Sequence, residues 1–464
     1  MKSLLPLWKY IARYKWAFAF GFVFVILSNL FMVAVPIVVG DTINTLSNRA
    51  GLMDDLFLVG VFILTLAGIS GAFRYLMRRV LIDTSRDIEF DFRNDMYRKL
   101  QELDPAFYDG QDTGDLMSRM TNDIESVRMM VGPAIMYTAN TLVSAPLVLV
   151  AMARLDVVLT AIAIVPLAVM PLIVKKLGRE MHARLRAQQD QLGDLTTAVQ
   201  ETLAGVRVIK AYGQEATHDR RFVRENQLFI DKSMHSAILQ AWVWPLIHLI
   251  AGIGMVVVLA LGFWRIQSGA LDVGELTTMI LLFQMLMWPL IAAGWVINLF
   301  QRASASLGRI LQVVGTEPLV SDPQSPVALP PASEGLDVEL RGLTFAYPAA
   351  EQPALHDINL SVPAGRTVGI VGRVGSGKST LVNLLLRQYP VERGQIFIGG
   401  VDINDWPAAE LRRRVGIVFQ ESFLFSETIA ENVRFGAHGE LDDEEVFAAT
   451  AKAGLQEDIM GFPD

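Results

Sequence analysis

The stretch Val368-Gly-Ile-Val-Gly372-Arg-Val-Gly-Ser-Gly377-Lys378-Ser379-Thr380 decides how the C-terminal part of the chain folds. Residues 372–379 place a glycine, a spacer and then Gly-Lys-Ser, the spacing of a phosphate-binding P-loop. The context agrees. An apolar run, Val368–Val371, precedes the loop, and a helical run, Thr380–Arg387, follows it. Glycines let backbone N–H groups turn inward around phosphate oxygens. The N-terminus of the following helix adds partial positive charge. Gly372, Arg373, Val374, Gly375, Ser376, Gly377, Lys378, Ser379 and Thr380 then form a cradle for ATP phosphates. Lys378 is expected to reach the β- and γ-phosphates, and the Ser379 hydroxyl to bind Mg²⁺. A chance glycine turn does not account for an apolar run on one side and a helix on the other.

Working outward, residues 316–335 carry Pro318, Pro323, Pro326, Pro330 and Pro331 among Ser, Asp and Glu, the composition of a linker. Beyond it lie short apolar runs that read as strands: Leu336–Leu340, Leu343–Tyr347, Ile358–Val362, Val368–Val371, Ile396–Ile398 and Val415–Phe419. Residues 336–464 thus read as an α/β P-loop domain.

The first 315 residues are of another kind. Apolar stretches free of Asp, Glu, Lys and Arg recur at Ala17–Gly40, Leu56–Phe73, Met129–Met152, Val157–Val174, Ser236–Trp264 and Leu276–Gln301. Each is about the length of helix that a bilayer core requires, roughly 20 residues. The first is too long for the apolar core of a signal peptide, about 7–15 residues, and reads as a retained span. Pro36, Pro146, Pro166, Pro245 and Pro289 do not argue against helix here, since neighbouring spans satisfy the freed backbone groups. Buried core helices of a soluble protein would not come six in a row.

Composition agrees with membrane insertion: 52% of residues are hydrophobic, 19% are charged, and the mean hydropathy is +0.37. Soluble chains average about 25% charged residues. A net charge of −8 and a pI near 5.4 speak against nucleic-acid binding. With no cysteine, disulfides and thiolate chemistry are excluded, and the six scattered histidines show no metal-ligand spacing.

The connections alternate. Residues 41–55, 153–156 and 265–275 are short and carry one Arg each, while 74–128 and 175–235 are long and carry nine and eleven Lys or Arg. Residues before the first span carry four more. Positive residues near span ends stay cytoplasmic. The N-terminus, both long connections and the nucleotide-binding domain are therefore expected in the cytoplasm, and the chain in the cytoplasmic (inner) membrane. Ile88, Phe92, Met96, Leu100 and Leu103, and then Leu177, Met181, Leu185, Leu192, Leu195 and Val199, recur at helical spacing. The second and fourth spans are expected to continue into the cytosol as two helical hairpins, residues 74–103 reaching about 45 Å. Asp104-Pro105, Gly110 and Gly114 break the first, and Gly213 the second.

The chain resembles the ATP-binding-cassette exporters, in particular bacterial multidrug-type half-transporters, over essentially its whole length. Phe345-Ala-Tyr347-Pro348 looks like the loop whose aromatic ring stacks on adenine. Gly394–Ile403 and Leu411–Gln420 look like the segments leading to the family's glutamine loop, and Phe425–Asn432 continues the pattern. The resemblance implies that Tyr347 binds the base and that Gln420 is a second Mg²⁺ ligand and a sensor of the membrane domain. Thr113-Gly-Asp-Leu-Met-Ser-Arg-Met-Thr-Asn-Asp123 is similar to the first coupling helix, and Ile209-Lys-Ala-Tyr-Gly-Gln-Glu215 to the approach to the second.

The resemblance further implies two parts: a six-span, all-helical transmembrane domain over 1–315 of the type I exporter kind, and a partial nucleotide-binding domain over 336–464 after the 316–335 linker. The signature segment, the catalytic carboxylate and the switch histidine are expected beyond Asp464. His438 reads as solvated loop, and Glu421, Glu427 and Glu431 as surface or fold residues of the family pattern, so no catalytic residue is assigned. The implied activity is ATP hydrolysis coupled to export of an apolar or amphipathic, drug- or lipid-like compound, by a homodimer or heterodimer of half-transporters. Residues 1–464 alone are expected to be inactive. Two rival readings remain: a nucleotide-binding partner or regulatory fragment without turnover, and a membrane-tethered signalling ATPase, which leaves the coupling segments unexplained. Within the spans His248 is the ionisable residue, a functional candidate by position. With no charged partner in the spans, a neutral histidine bonded to a neighbouring helix is the plainer reading. In the sixth span Phe283 and Met287 share a face with helical spacing, either a ligand surface or packing.

Overall fold

A computed structural model describes residues 7–48, 53–323, 327, 330, 335–348, 350–420, 422–437, 439 and 441–462. Pro326 and Pro331 of the linker, Glu421 and His438 lie outside them. The chain divides into two compact units: Met1–Arg98 with Met117–Val314, and Lys99–Leu116 with Gly315–Asp464.

Among its described residues the first unit is built of helices joined by short connections, with no strand. Its apolar stretches lie in helices Lys15–Asn48, Met53–Glu102, Ile135–Leu155, Val157–Ala204 and Glu215–Gln267, and in the pair Val273–Met285 and Met287–Val314. Among the described residues five helical segments are long and apolar enough to cross a membrane, and a shorter apolar helix runs over Val157–Met170. Met53–Glu102 runs 50 residues, so at about 1.5 Å per residue it extends far beyond a bilayer core. The sixth span is interrupted at Leu286, where the sequence expectation was continuous helix. Pro289 explains the break, because its ring has no N–H to give and clashes with the carbonyl four residues earlier, that of Met285.

Specific polar groups start and join these helices. Asp156 begins Val157–Ala204 by accepting from the Leu159 N–H at 2.9 Å, and its other carboxylate oxygen accepts from Arg265 at the end of Glu215–Gln267. Asp272 and Glu275 cap Val273–Met285 reciprocally. The first and last spans approach closely at glycine. A Cβ on Gly274 would lie 1.9 Å from the Gly40 carbonyl oxygen. Small residues permit such crossings in membranes.

Of two sequence candidates in the spans, one is core packing and the other is exposed and bonded within its own helix. Phe283 is 1% exposed and sits in a core with Val258, Met279 and Leu282; its ring fills the space beside Gly254. The His248 Nδ1 lies 3.0 Å from the Trp244 carbonyl oxygen, one turn back on its own helix rather than on a neighbour.

The second hairpin pairs Val157–Ala204 with Glu215–Gln267. Gln191 donates to Glu225 at 2.9 Å, Lys232 donates to Gln191 at 2.8 Å, and Arg221 pairs with Glu201 at 2.8 Å. Its tip opens at Gly205, eight positions before the expected break. A short helix, Val206–Ala211, intervenes before Gly213 turns the chain at φ +60°.

The second unit holds a four-stranded antiparallel sheet. Strand β1 is Val338–Phe345, β2 Leu355–Val362, β3 Ile396–Ile398 and β4 Val401–Asp402, in the order β2-β1-β3-β4. The two runs expected at 336–340 and 343–347 merge into β1, with register shifts on either side of Leu343. The runs Val368–Val371 and Val415–Phe419 are a correction: among the described residues neither pairs with a strand, and Val371 and Val418 are exposed. Continuous apolar runs suit strands covered on both faces, which require neighbours on each side. None of the described residues supplies them. The core collects Leu340, Leu343, Leu384, Ile396, Trp406 and Leu411. Buried Arg387 donates to the Trp406 carbonyl at 2.6 Å and the Ser321 carbonyl at 2.8 Å, tying the linker to the core.

Candidate functional site: the phosphate-binding loop

The loop 372–377 leads directly into helix Lys378–Leu385. Gly375 and Gly377 take φ of +82° and +84°, a region that costs other L-residues roughly 1–2 kcal/mol. Gly377 is needed for space as well: a Cβ there would lie 2.6 Å from the Ala354 carbonyl oxygen and 2.7 Å from Leu355 Cδ2. At Gly372 a Cβ would lie 2.5 Å from Ser376 Oγ. The loop is thus closed tightly on one side by β2 and left open on the other, where Arg373 and Val374 are exposed.

Lys378 is folded back over this loop. Its ammonium donates to the Gly372 and Arg373 carbonyls at 2.9 Å each and to Ser376 Oγ at 3.4 Å. Its charge is therefore held at the mouth of the loop, where phosphate oxygens would approach. Ser379 is exposed in the first turn of the helix, where backbone N–H groups lack helical partners. A bent glycine loop, a positioned ammonium and a free helix N-terminus together suit a polyphosphate, and the exposed Ser379 hydroxyl suits a hard cation beside it.

Thr380 points the other way. It is buried, and its Oγ1 lies 3.0 Å from the Tyr347 hydroxyl. The half-buried Tyr347 ring packs edge-on against Phe345 and against Tyr389, each at a 5.1 Å centroid distance. The Tyr389 hydroxyl in turn donates to the Asp109 carboxylate at 2.8 Å. Burial, and next the Asp109 carboxylate, push the Tyr389 phenol well above its ordinary value, so it stays protonated as the donor. A continuous series of contacts thus runs from the P-loop helix through Tyr347 and Tyr389 to the Pro105–Asp109 helix.

That last helix belongs to the same unit as the loop. Ala106 packs on the core, and the Asp104 carboxylate accepts from the Val320 N–H at 3.1 Å and from the Leu319 N–H. The resemblance placed the first coupling helix at 113–123. In the structure the residues that rest on the nucleotide-binding core are 104–109, and Asp123 instead pairs with Arg309 within the membrane unit. Sequence reasoning also missed Tyr389. The Tyr-Pro pair closing the P-loop helix was its one local signal. Gln420 is exposed at the end of the 415–420 segment, and among the described residues no hydrogen bond joins it to the P-loop.

Comparison with known proteins agrees with these parts. The model of the ABC transporter transmembrane region matches residues 18–290, and the ABC transporter model matches residues 355–461. A probable multidrug resistance ABC transporter ATP-binding/permease protein, YheI of Bacillus subtilis, is 32% identical over 456 residues, 98% of this chain and 77% of that protein. The multidrug resistance-like ATP-binding protein MdlA of Escherichia coli is 32% identical over 84% of this chain and 65% of its own length. An ATP-dependent lipid A-core flippase of Syntrophus aciditrophicus is 32% identical over 89% of this chain and 69% of its own length. With a helical membrane region matched over more than half its length and a P-loop domain fused behind it, the chain belongs to the ABC transporter family.

Proposed function

We propose that the chain is one half of a dimeric ABC exporter that couples ATP hydrolysis to moving an apolar or amphipathic compound out across the cytoplasmic membrane. The observation that carries this reading is the docking of residues 104–109 on the nucleotide-binding core, joined to the P-loop helix through Tyr389 and Tyr347. A nucleotide site linked to a segment that continues Met53–Glu102 has a route by which ATP can move the spans. The multidrug and flippase names of the relatives support the substrate class.

In this reading ATP supplies the γ-phosphoryl group and Mg²⁺ neutralises its charge. Lys378 would draw the β- and γ-phosphates, the 372–377 backbone would hold them, Ser379 and Gln420 would ligate the metal, and Tyr347 would be the platform for adenine. The exposed apolar tip of the second hairpin, with Leu203, Val208 and Tyr212, is the surface offered to the other half of the dimer. The N-terminus and nucleotide-binding domain are cytoplasmic. The P-loop is tested with trinitrophenyl-ATP and Mg²⁺ on the chain in lipid nanodiscs. Lys378→Ala is expected to weaken binding at least about tenfold, the loss of one charge-assisted contact, with helix content unchanged. Unchanged affinity overturns the assignment.

A further inference from the structure

A cavity of about 830 Å³ opens within the membrane unit. That is the size of small-molecule sites, roughly 300–1,000 Å³. Helix Met53–Glu102 turns one face to it, with Ala67, Ser70, Gly71, Arg74, Met77 and Arg78 recurring every three or four residues. Met32, Met136, Met285 and Trp288 add an adaptable apolar wall. Asn29 donates to Asn140 at 2.9 Å on the lining. One turn beyond Asn140, the buried Ser144 hydroxyl has no hydrogen-bond partner among the described residues. An unpartnered hydroxyl at that depth costs free energy unless a ligand or water engages it.

The charge of the lining is one-sided. Arg74 and Arg78 line the cavity, and among the described residues no carboxylate does. Arg79, the next residue, is not on that face and pairs with Asp83 at 3.7 Å. Arginines at span ends often extend to the lipid headgroups. Arg74 does not: its Nη2 lies 2.8 Å from the Met32 sulfur, on the cavity wall. Both guanidiniums are exposed at the cavity, so their charge is open to an incoming anion. Their planar donors match a carboxylate, sulfate or phosphate group.

We infer that this cavity takes amphipathic anions, with Arg74 and Arg78 on the acidic head, the methionines and Trp288 on the apolar body, and Ser144 as a hydrogen-bonding partner. The inference rests on the export reading above and narrows its substrate class.

The test uses the chain in phosphatidylcholine nanodiscs, titrated with dansyl-undecanoate and with its neutral methyl ester, each against empty nanodiscs. The carboxylate is expected to bind at least about tenfold tighter than the ester, one charge-assisted contact's worth. Arg74→Gln with Arg78→Gln should abolish that preference and leave ester binding in place, which also shows that the variant is folded. Arg79→Gln should keep the preference, as should Arg74→Lys with Arg78→Lys. Equal affinity of the two probes for the unaltered chain overturns the anion assignment and leaves the export reading standing. Binding of neither probe overturns the cavity as a site. Competition by added phosphatidylglycerol assigns the anion to the bilayer, and its absence assigns it to a soluble amphiphile; both results keep the class.

Discussion

The Tyr389 hydroxyl donates to the Asp109 carboxylate across 2.8 Å, although the two residues stand 280 positions apart in the chain. This bond fastens the Pro105–Asp109 helix to the nucleotide-binding core from one side, while Asp104 fastens it from the other through the Leu319 and Val320 N–H groups. A bond from a buried phenol to a carboxylate contributes about 1.5–3 kcal/mol. Tyr389→Phe is therefore expected to speed amide hydrogen exchange across residues 104–110 about tenfold or more, the rate change that about 1.4 kcal/mol gives. Nucleotide affinity should change little, since Tyr389 does not reach the loop. Exchange unchanged in 104–110 would show that the segment is held by other means.

The P-loop glycines separate strain from space. At Gly377 alanine meets both a positive φ and a backbone carbonyl at 2.6 Å, whereas at Gly375 nothing lies within 4 Å of the added methyl. Gly375→Ala is expected to cost about 1–2 kcal/mol of local stability and to keep measurable nucleotide binding. Gly377→Ala should cost more and abolish binding, because β2 and the loop cannot both stay in place. Thermal unfolding of the nucleotide-binding unit, with and without Mg-ATP, reads the difference. Equal effects of the two substitutions would show that the β2 contact does not shape the loop.

Topology is tested by labelling. The chain has no cysteine, so single cysteines at Ser47 and Ser118 stand alone. An impermeant maleimide added outside whole cells is expected to label position 47 and not 118, as the Lys and Arg distribution dictates. Labelling at 118 would reverse the orientation.

Residues 1–464 by themselves are expected to bind Mg-ATP without steady turnover. Phosphoryl transfer to water needs a group that orients the nucleophile and charge placed against the leaving oxygen. The residues assigned within 1–464 supply the phosphate cradle, the Lys378 charge and metal ligands. Phosphate release at a steady rate, dependent on magnesium and lost in Lys378→Ala, would place a general base within this stretch.

Much of this was legible in the sequence, because spans and P-loop are written locally. A charge-free apolar run of bilayer length declares itself, and so does a glycine loop ending in Gly-Lys-Ser. What was not legible depends on partners far away in sequence. Val368–Val371 carries strand composition, yet a strand exists only beside a neighbour, and none of the described residues pairs with it. Phe283 and Met287 looked alike on a helical face until packing buried Phe283 against Gly254. Asp109 and Tyr389 carry no motif, and only the fold brings them together. Gly205 opened the second tip before Gly213 because the Val206–Ala211 turn of helix fits between them, a boundary that periodicity alone does not set.

ATP-dependent uptake into inverted membrane vesicles tests the central claim most directly. Vesicles from cells that produce the protein together with the other half of the proposed dimer are given an amphipathic anionic fluorescent probe, dansyl-undecanoate. The account predicts accumulation that requires Mg-ATP, fails with a non-hydrolysable analogue, and is lost in Lys378→Ala while the protein remains in the membrane. ATP-dependent accumulation that persists undiminished in Lys378→Ala would contradict it.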